Sequence, residues 1–448
     1  MTSATPVAGG IASPDAHPQA GDISFRPALM GEVELTRPLG ALRGHEGTTA
    51  ASLLIRLHTE PIGWLNLALH NGKCASSTLA GAIWEALHES VTSRYVAAGM
   101  TAPPVMTAAG LALDTSGWPY LEKRTRVLAS APLISVVVST RDRPDRLRTC
   151  LSRLARQIYP AFETVVVDNA PRSTDVRRIA DAQATEQNLK YVLEERPGLS
   201  WARNAGIAAA DGEIVAFLDD DEAADEHWLA EIARGFARAR DVGAVTGLIL
   251  PGSLETAAQW WFEMLGGHSK GRGFDTQLIS GEGPQSPLFP MPAFGAGGNM
   301  AFRRQILREI RGFDVALGAG TPAAGGEDTL ALTLVLLAGA RIAYQPSAFV
   351  RHEHYPDMAG LVQQTRSYGI GLTAYYSALL FRQPRLIAKL AREFPAAARY
   401  LRGQHHLGTP ELKGIAQHLS QVKRRGMLLG PTHYVRSRHA QRGLRNAG

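Results

Sequence analysis

From Ile134 onward, short β-branched runs alternate with amphipathic stretches, and that alternation leaves the chain few folds to choose from. Ile134 to Thr140 reads Ile-Ser-Val-Val-Val-Ser-Thr, a continuous apolar strand. A helix follows from Pro144 or Asp145 to about Gln157, with proline in the first turn, where its missing N–H costs nothing. Glu163 to Val167 is a second strand, ending in Asp168-Asn169. A helix near Asp175 to Ala184, a strand at Leu189 to Leu193 and a helix from about Ser200 to Ala210 come next. Strands alternating with helices predict a parallel sheet with right-handed crossovers. Thr140, Asp168 and Asp219 to Asp221 then line one edge of it, the edge at which open α/β sheets bind ligands.

The strand Glu213 to Leu218 runs directly into Asp219-Asp220-Asp221-Glu222. Four adjacent carboxylates repel one another and require a counter-cation. At a ligand-binding edge the fitting one is a divalent metal with oxygen ligands, presented to a diphosphate. The tripeptide alone is equally compatible with an acidic surface turn capping the helix near His227-Trp228-Leu229.

Further elements extend the sheet region. Gly243 to Leu250 reads as a strand and Glu255 to Leu265 as a helix carrying Trp260-Trp261. Ser269 to Pro292 is rich in Gly, Pro and Ser and reads as a long loop, a candidate lid. Phe294 to Phe302 reads as a Gly-rich loop into a strand. Helices are expected from Arg303 to Ile310 and from Asp328 to Ala338, then a strand from Ile342 to Tyr344. After Pro356 the chain reads as helical, broken at Pro384, Pro395 and Gly403.

Around this core, the 448 residues leave room for two or three domains, and 45% hydrophobic with 20% charged residues is an ordinary soluble composition. Residues 1–25 read as a disordered tail without the basic-then-apolar order of a signal peptide. Residues 26–100 form a small α+β unit, with strands Ala51 to His58 and Gly63 to His70 around a Glu60-Pro61-Ile62-Gly63 turn. A helix from Thr78 to Ala97 completes it, with its stripe at Leu79, Ile83, Leu87 and Val91. Residues 101–131 read as linker, 132–356 as the α/β domain and 357–448 as a basic helical region. From Tyr376 to the end, 14 Lys/Arg face only Glu393 and Glu411, a surplus suited to anionic lipid or a phosphate-bearing acceptor. No recognised nucleic-acid module accompanies that charge, and nucleic acid is not expected as a partner. Cys74 and Cys150 form neither a metal spacing nor a disulfide framework. No apolar stretch reaches the roughly 18–20 residues of a membrane span. A cytoplasmic location is therefore expected, with peripheral contact at the inner face of the membrane permitted by the basic end.

Seven segments in order resemble the inverting, nucleotide-sugar-dependent glycosyltransferases of family 2. They are Ile134 to Thr140, Asp168-Asn169, Gly198 to Gly206, Phe217 to Asp221, Gly298 to Arg304, Gly326-Glu327-Asp328 and Val350-Arg351-His352. The resemblance covers about half the chain. It implies a GT-A fold, Rossmann-like with a mostly parallel sheet and flanking helices. By the same resemblance Thr140, Arg141, Asp168, Arg203, Asp219, Asp220 and Asn299 contact the nucleotide-sugar. Asp219 and Asp221 match the family's Asp-x-Asp around Mn²⁺ or Mg²⁺, with His352 at the place of an additional ligand and His354 two residues on. Asp328 matches the catalytic base that deprotonates a hydroxyl acceptor, and Glu327 is chemically able to do the same. The donor is then a nucleoside-diphosphate-sugar and the acceptor a glycan, a lipid-linked saccharide or a small molecule, as in cell-envelope synthesis. Processive members carry Gln-x-x-Arg-Trp after the base. Gln363-Gln364-Thr365-Arg366-Ser367 lacks the aromatic residue, so transfer of one or few sugars is expected. Trp260, Trp261 and the 269–292 loop are candidates for an acceptor wall and lid, with helix packing as the alternative for the tryptophans.

Two rivals remain at this point. A sugar nucleotidyltransferase also uses a nucleotide-binding α/β sheet, but Ser139 to Pro144 lacks its glycines. A non-catalytic carbohydrate-binding or scaffold protein is opposed by the presence of every expected acid.

Overall fold

The computed structural model describes residues 25, 27–111, 117–269, 271–283, 286–289, 294–403 and 410–446. The tail expected at 1–25 lies outside the described residues except for Phe25, as does part of the expected 269–292 lid.

The N-terminal unit contains β1 (Ala28–Glu34), β2 (Leu42–Arg43), β3 (Ala50–Leu57), β4 (Glu60–Ala68), β5 (Lys73–Cys74) and α1 (Ser76–Ala97). β3 and β4 form an antiparallel hairpin, and β1, not foreseen in the sequence, pairs with β3 in parallel. The hairpin turns at His58-Thr59, with φ of 51° and 66°, rather than at Glu60 to Gly63. Two positive φ values suit the right-handed twist of a tight hairpin, though they are costly without glycine. The Glu34 carboxylate compensates, accepting from His58 N at 3.0 Å and Thr59 N at 2.8 Å. Pro61 consequently sits inside β4. The expected α1 stripe of Leu79, Ile83, Leu87 and Val91 is buried against Leu53, Ile55 and Leu65.

Residues 101–131 are more than a linker, because they contain α2 (Pro119–Ala129). Trp118 completes the N-terminal core, and Arg124 Nε donates to Glu231 Oε1 at 3.0 Å in the larger domain. Arg56 likewise pairs with Asp225 at 2.8 Å. These contacts tie the small unit to the main sheet.

The main domain runs β6 (Ile134–Thr140), α3 (Pro144–Leu154), β7 (Phe162–Asn169), α4 (Asp175–Gln187), β8 (Leu189–Glu194), α5 (Leu199–Ala209), β9 (Ile214–Asp219) and β10 (Glu222–Ala224). It continues with α6 (Trp228–Ala237), β11 (Val242–Pro251), α7 (Ala257–Met264), β12 (Gln277–Ile279), β13 (Met300–Arg303), α8 (Arg304–Glu309), α9 (Glu327–Leu337) and β14 (Arg341–His352). The strand order is β10-β14-β11-β13-β9-β6-β7-β8, with β12 also on β14. β8, β7, β6 and β9 are parallel, β13 enters antiparallel between β9 and β11, and β14 is parallel to β11. Period-two alternation divides the buried side chains. Val137, Val165 and Phe217 face α5 and α9, while Val136, Val138 and Leu218 face α3, α4 and α6.

β14 is far longer than the expected Ile342 to Tyr344. Gln345, Pro346 and Ser347 interrupt its apolar pattern, and a register shift opposite Gly247 and Ile249 absorbs the interruption. The extension matters because Glu222 in β10 pairs with His352.

After the sheet come α10 (Met358–Arg382), a 3₁₀ turn at Pro384–Leu386, α11 (Ile387–Gly403) and α12 (Pro410–Asn446). Pro395 lies inside α11 instead of breaking it. Ala374, Tyr375, Leu379 and Tyr434 share one core with Phe217 and Leu330, so packing is continuous across residues 356–357. Thr373 Oγ1 donates to Met427 O at 2.7 Å where α10 and α12 cross. Among the described residues no helix is long and apolar enough to cross a membrane.

Candidate active site

The turn after β9 resolves its four adjacent acids by sending them in different directions. Glu222 is buried, and its Oε2 accepts from Asp219 N at 3.1 Å. Burial first, then the charges of Asp219 and Asp221, hold its carboxyl well above the usual range. Asp220 also turns inward, accepting from Thr140 Oγ1 at 2.7 Å and Arg143 Nη1 at 3.1 Å. Its desolvation raises its pKa to about 6. Asp220, expected on the nucleotide-sugar, has its carboxylate engaged in holding the turn. Asp219 and Asp221 retain access to solvent, with side chains 35% and 16% exposed.

Asp221 is neutralised by arginines that the motif did not indicate. Arg146 Nη1 lies 2.7 Å and Arg143 Nη1 3.2 Å from its Oδ2. On the other side, His352 Nε2 lies 3.7 Å from Asp221 Oδ1, a proximity created by the pairing of β10 with β14.

The second acidic group is built at the start of α9. Gly326, at φ 88°, caps this helix, and a side chain there would meet Gly371 O at 2.6 Å. Glu327 is buried and Asp328 is partly exposed. Asp328 Oδ1 accepts from Thr329 N at 2.6 Å. Burial first, then the Asp328 charge, push Glu327 up to about 7.

Arg203, in the interior of α5, joins the two acidic groups. Its Nη1 donates to Glu327 Oε1 at 2.9 Å, while Nη2 reaches Asp219 Oδ1 at 3.3 Å and Gly297 O at 3.0 Å. Burial opposes its charge, but Asp219, Glu327 and Asp328 more than offset that penalty and raise its pKa. Arg203 therefore places the acid at 219 and the acid at 327 on either side of one guanidinium.

Next along the same edge, Thr140 and Asp168 are direct neighbours across β6 and β7. Asp168 is fully buried, and its Oδ2 accepts from Tyr191 OH at 2.9 Å. Its Oδ1 is buried without a hydrogen-bond partner. Burial raises its pKa, the Tyr191 hydrogen bond working against that. Arg141 is exposed on the following loop.

Asn299 does not reach the cleft. It is 1% exposed, its Oδ1 accepts from Trp228 Nε1 at 2.9 Å, and its Nδ2 donates to Leu248 O and Ala348 O. Glycines before it allow this inward packing, so the expected sugar contact is corrected to a tie between strands. Trp261 is also a packing residue, buried with Phe262, Leu361 and Leu419. An aromatic side chain not singled out from the sequence, Tyr368 on α10, stands 40% exposed near Asp328. Its place directly after Ser367 was the available signal.

Residues 135–311 match Glycosyl transferase family 2. The chain is 31% identical over 104 residues to Glycosyltransferase AglE of Haloferax volcanii, covering 22% of this chain and 34% of AglE. It is 22% identical over 228 residues to the Glucosyl-dolichyl phosphate glucuronosyltransferase of the same organism, covering 49% and 69%. The chain thus spans about a third of the first relative and two thirds of the second. A solved mannosyltransferase, PcManGT from Pyrobaculum calidifontis in complex with GDP-Man and Mn2+, is 21% identical. The alignment covers 71% of this chain and 92% of that one at a TM-score of 0.42. With its α/β sheet and its acidic turn, the region of residues 135–311 is similar to the glycosyl transferase family 2 domain.

Proposed function

We propose that the protein transfers a sugar from a nucleoside-diphosphate-sugar to a hydroxyl acceptor, with inversion and with the help of Mn²⁺ or Mg²⁺. The observation that carries the reading is the Arg203 bridge, which brings Asp219 and Glu327 to one guanidinium. Asp219 and Asp221 would hold the cation, which would supply Lewis-acid neutralisation of the departing diphosphate. The buried Asp168 Oδ1 accepts from an N–H edge of the base.

Asp328 takes the acceptor proton as the new bond forms, because it is the more accessible of the two acids in α9. Glu327 is a positioning residue, fixed by Arg203. Ser367 leaves no stacking surface in the motif, consistent with transfer of one or few sugars. The exposed Tyr368 offers its ring beside the base for an acceptor sugar. A lipid-linked acceptor at the cytoplasmic membrane face fits the basic end of the chain.

The test is transfer and donor hydrolysis with Mn²⁺ in Asp328→Asn and Asp221→Ala. Asp328→Asn is expected to lose about 10²–10⁴-fold in kcat with donor affinity retained. Asp221→Ala is expected to lose metal-dependent donor binding. Unchanged turnover in both variants overturns the mechanism. Loss of binding to anionic vesicles on deleting residues 376–448 supports the membrane contact, and no binding by the intact chain refutes it.

A further inference from the structure

Beside the acidic turn, three histidines from two distant segments meet. His352 ends β14, His354 follows it, and His268 comes from the turn after α7. One ring nitrogen from each lies within 4.8 Å of the others. The turn that delivers His268 depends on Gly267 at φ 50°, where a side chain would strike the Glu263 carboxylate at 2.4 Å. Phe262 packs edge-on against both His268 and His354, giving the cluster an apolar wall.

The nitrogens are oriented. Glu263 Oε1 lies 2.7 Å from His354 Nε2. An ionised carboxylate only accepts, so His354 carries its proton on Nε2 and presents the Nδ1 lone pair. That Nδ1 lies 3.1 Å from His352 Nδ1. In a tetrahedral site with metal–nitrogen bonds of 2.0–2.1 Å, ligand nitrogens are about 3.3–3.4 Å apart. The Glu263-His354 pair also has the form of the carboxylate–histidine contact that orients metal-binding imidazoles.

We infer that His268, His352 and His354 form a transition-metal site of the Zn²⁺ type, distinct from the Asp219-Asp221 site. Nitrogen donors suit Zn²⁺, whereas the neighbouring carboxylates suit Mn²⁺ or Mg²⁺, so the two sites differ in selectivity. The assignment is independent of sugar transfer. It does remove His352 from the ligands of the diphosphate cation. An imidazole coordinated through Nδ1 carries its proton on Nε2, here facing Asp221 Oδ1 at 3.7 Å. His352 then links the two sites as a Zn²⁺ ligand on one edge and a donor toward Asp221 on the other.

The test uses untagged full-length protein loaded with Zn²⁺, or with Co²⁺ as a spectroscopic probe, and desalted before elemental analysis. About one ion per chain is expected, with a visible Co²⁺ band typical of tetrahedral nitrogen ligation. His268→Gln and His354→Gln should lose the ion and the band. Glu263→Gln, which keeps all three rings, should weaken affinity by roughly 10–100-fold. Asp221→Asn should keep both the ion and the band while losing the Mn²⁺-dependent response of donor binding. Circular dichroism checks that each variant is folded. Absence of a retained ion in the parent protein overturns the site and reduces the 3.1 Å contact to a histidine–histidine hydrogen bond. Loss of the band in Asp221→Asn with retention in the folded histidine variants overturns it too, by moving the metal to the acidic turn.

Discussion

Arg203 Nη1 lies 2.9 Å from Glu327 Oε1, an ion pair in which both side chains are almost fully removed from water. Breaking a buried pair from one side leaves an uncompensated charge and costs about 3–5 kcal/mol. Arg203→Met is therefore expected to lose that much in chemical unfolding at pH 8, and less at pH 5, where Glu327 can take up a proton. A loss below about 1 kcal/mol at pH 8 would show the bridge to be energetically idle.

The same carboxyl predicts a pH dependence. Glu327 is raised from 4.5 to about 7, chiefly by burial and secondly by Asp328. The native state then holds this proton more tightly than the unfolded chain does. Its stabilisation is complete below the unfolded value and disappears as pH rises through about 7. The contribution is on the order of 3 kcal/mol. Glu327→Gln should flatten the corresponding fall in unfolding free energy between pH 4.5 and 7, and an unchanged slope would refute it.

Asp168 Oδ1 is a buried acceptor whose own fold offers it nothing. Asp168→Asn should weaken nucleotide binding in calorimetry by roughly ten- to a hundredfold, the worth of a charged hydrogen bond, with little change in Tm. Tyr191→Phe, which removes only the 2.9 Å contact to Oδ2, should have a smaller effect. Equal affinities across the three proteins would move the base elsewhere.

Arg143 and Arg146 compete with any cation for Asp221, but both are about half exposed. Exposed pairs are worth roughly 0.2–1 kcal/mol. Replacing both with alanine should tighten Mn²⁺ binding a few-fold in titrations without nucleotide. Weaker binding would mean that the arginines organise the turn instead.

Glu34 holds the His58-Thr59 turn from β1, and Glu34→Ala leaves three backbone donors, those of Thr36, His58 and Thr59, without it. A loss of about 1–3 kcal/mol in unfolding free energy is expected. No loss would mean that solvent replaces the carboxylate at no cost.

The strands at Ile134–Thr140 and Ile214–Asp219 were legible because each is built on a run of apolar residues, Val136 to Val138 and Ile214 to Leu218, buried on both faces. β10 has only three residues and acquires its strand geometry from β14, so nothing local announces it. In the sequence β14 looked shorter because of Pro346, whose disruption is absorbed by a bulge within β14, where Gln345 to Val350 spans only Gly247 to Ile249. The acidic turn was recognisable as a chemical feature, yet its division between inward and outward carboxylates depends on Thr140 and Arg143. Asn299 misled for a related reason. A Gly-rich approach resembles a ligand contact in sequence, while its side chain closes bonds to Trp228, Leu248 and Ala348. His268 could not have been associated with His352 from spacing, because the turn after α7 alone brings them together.

The pairing of Glu222 with His352 has a consequence for how the protein is made. The ribosome releases the acidic turn long before the strand that will fix it. Until that later strand emerges and docks, these carboxylates have no imidazole beside them and β10 has no partner strand. Competence to bind a donor must therefore arrive late in synthesis, after most of the sheet has already formed.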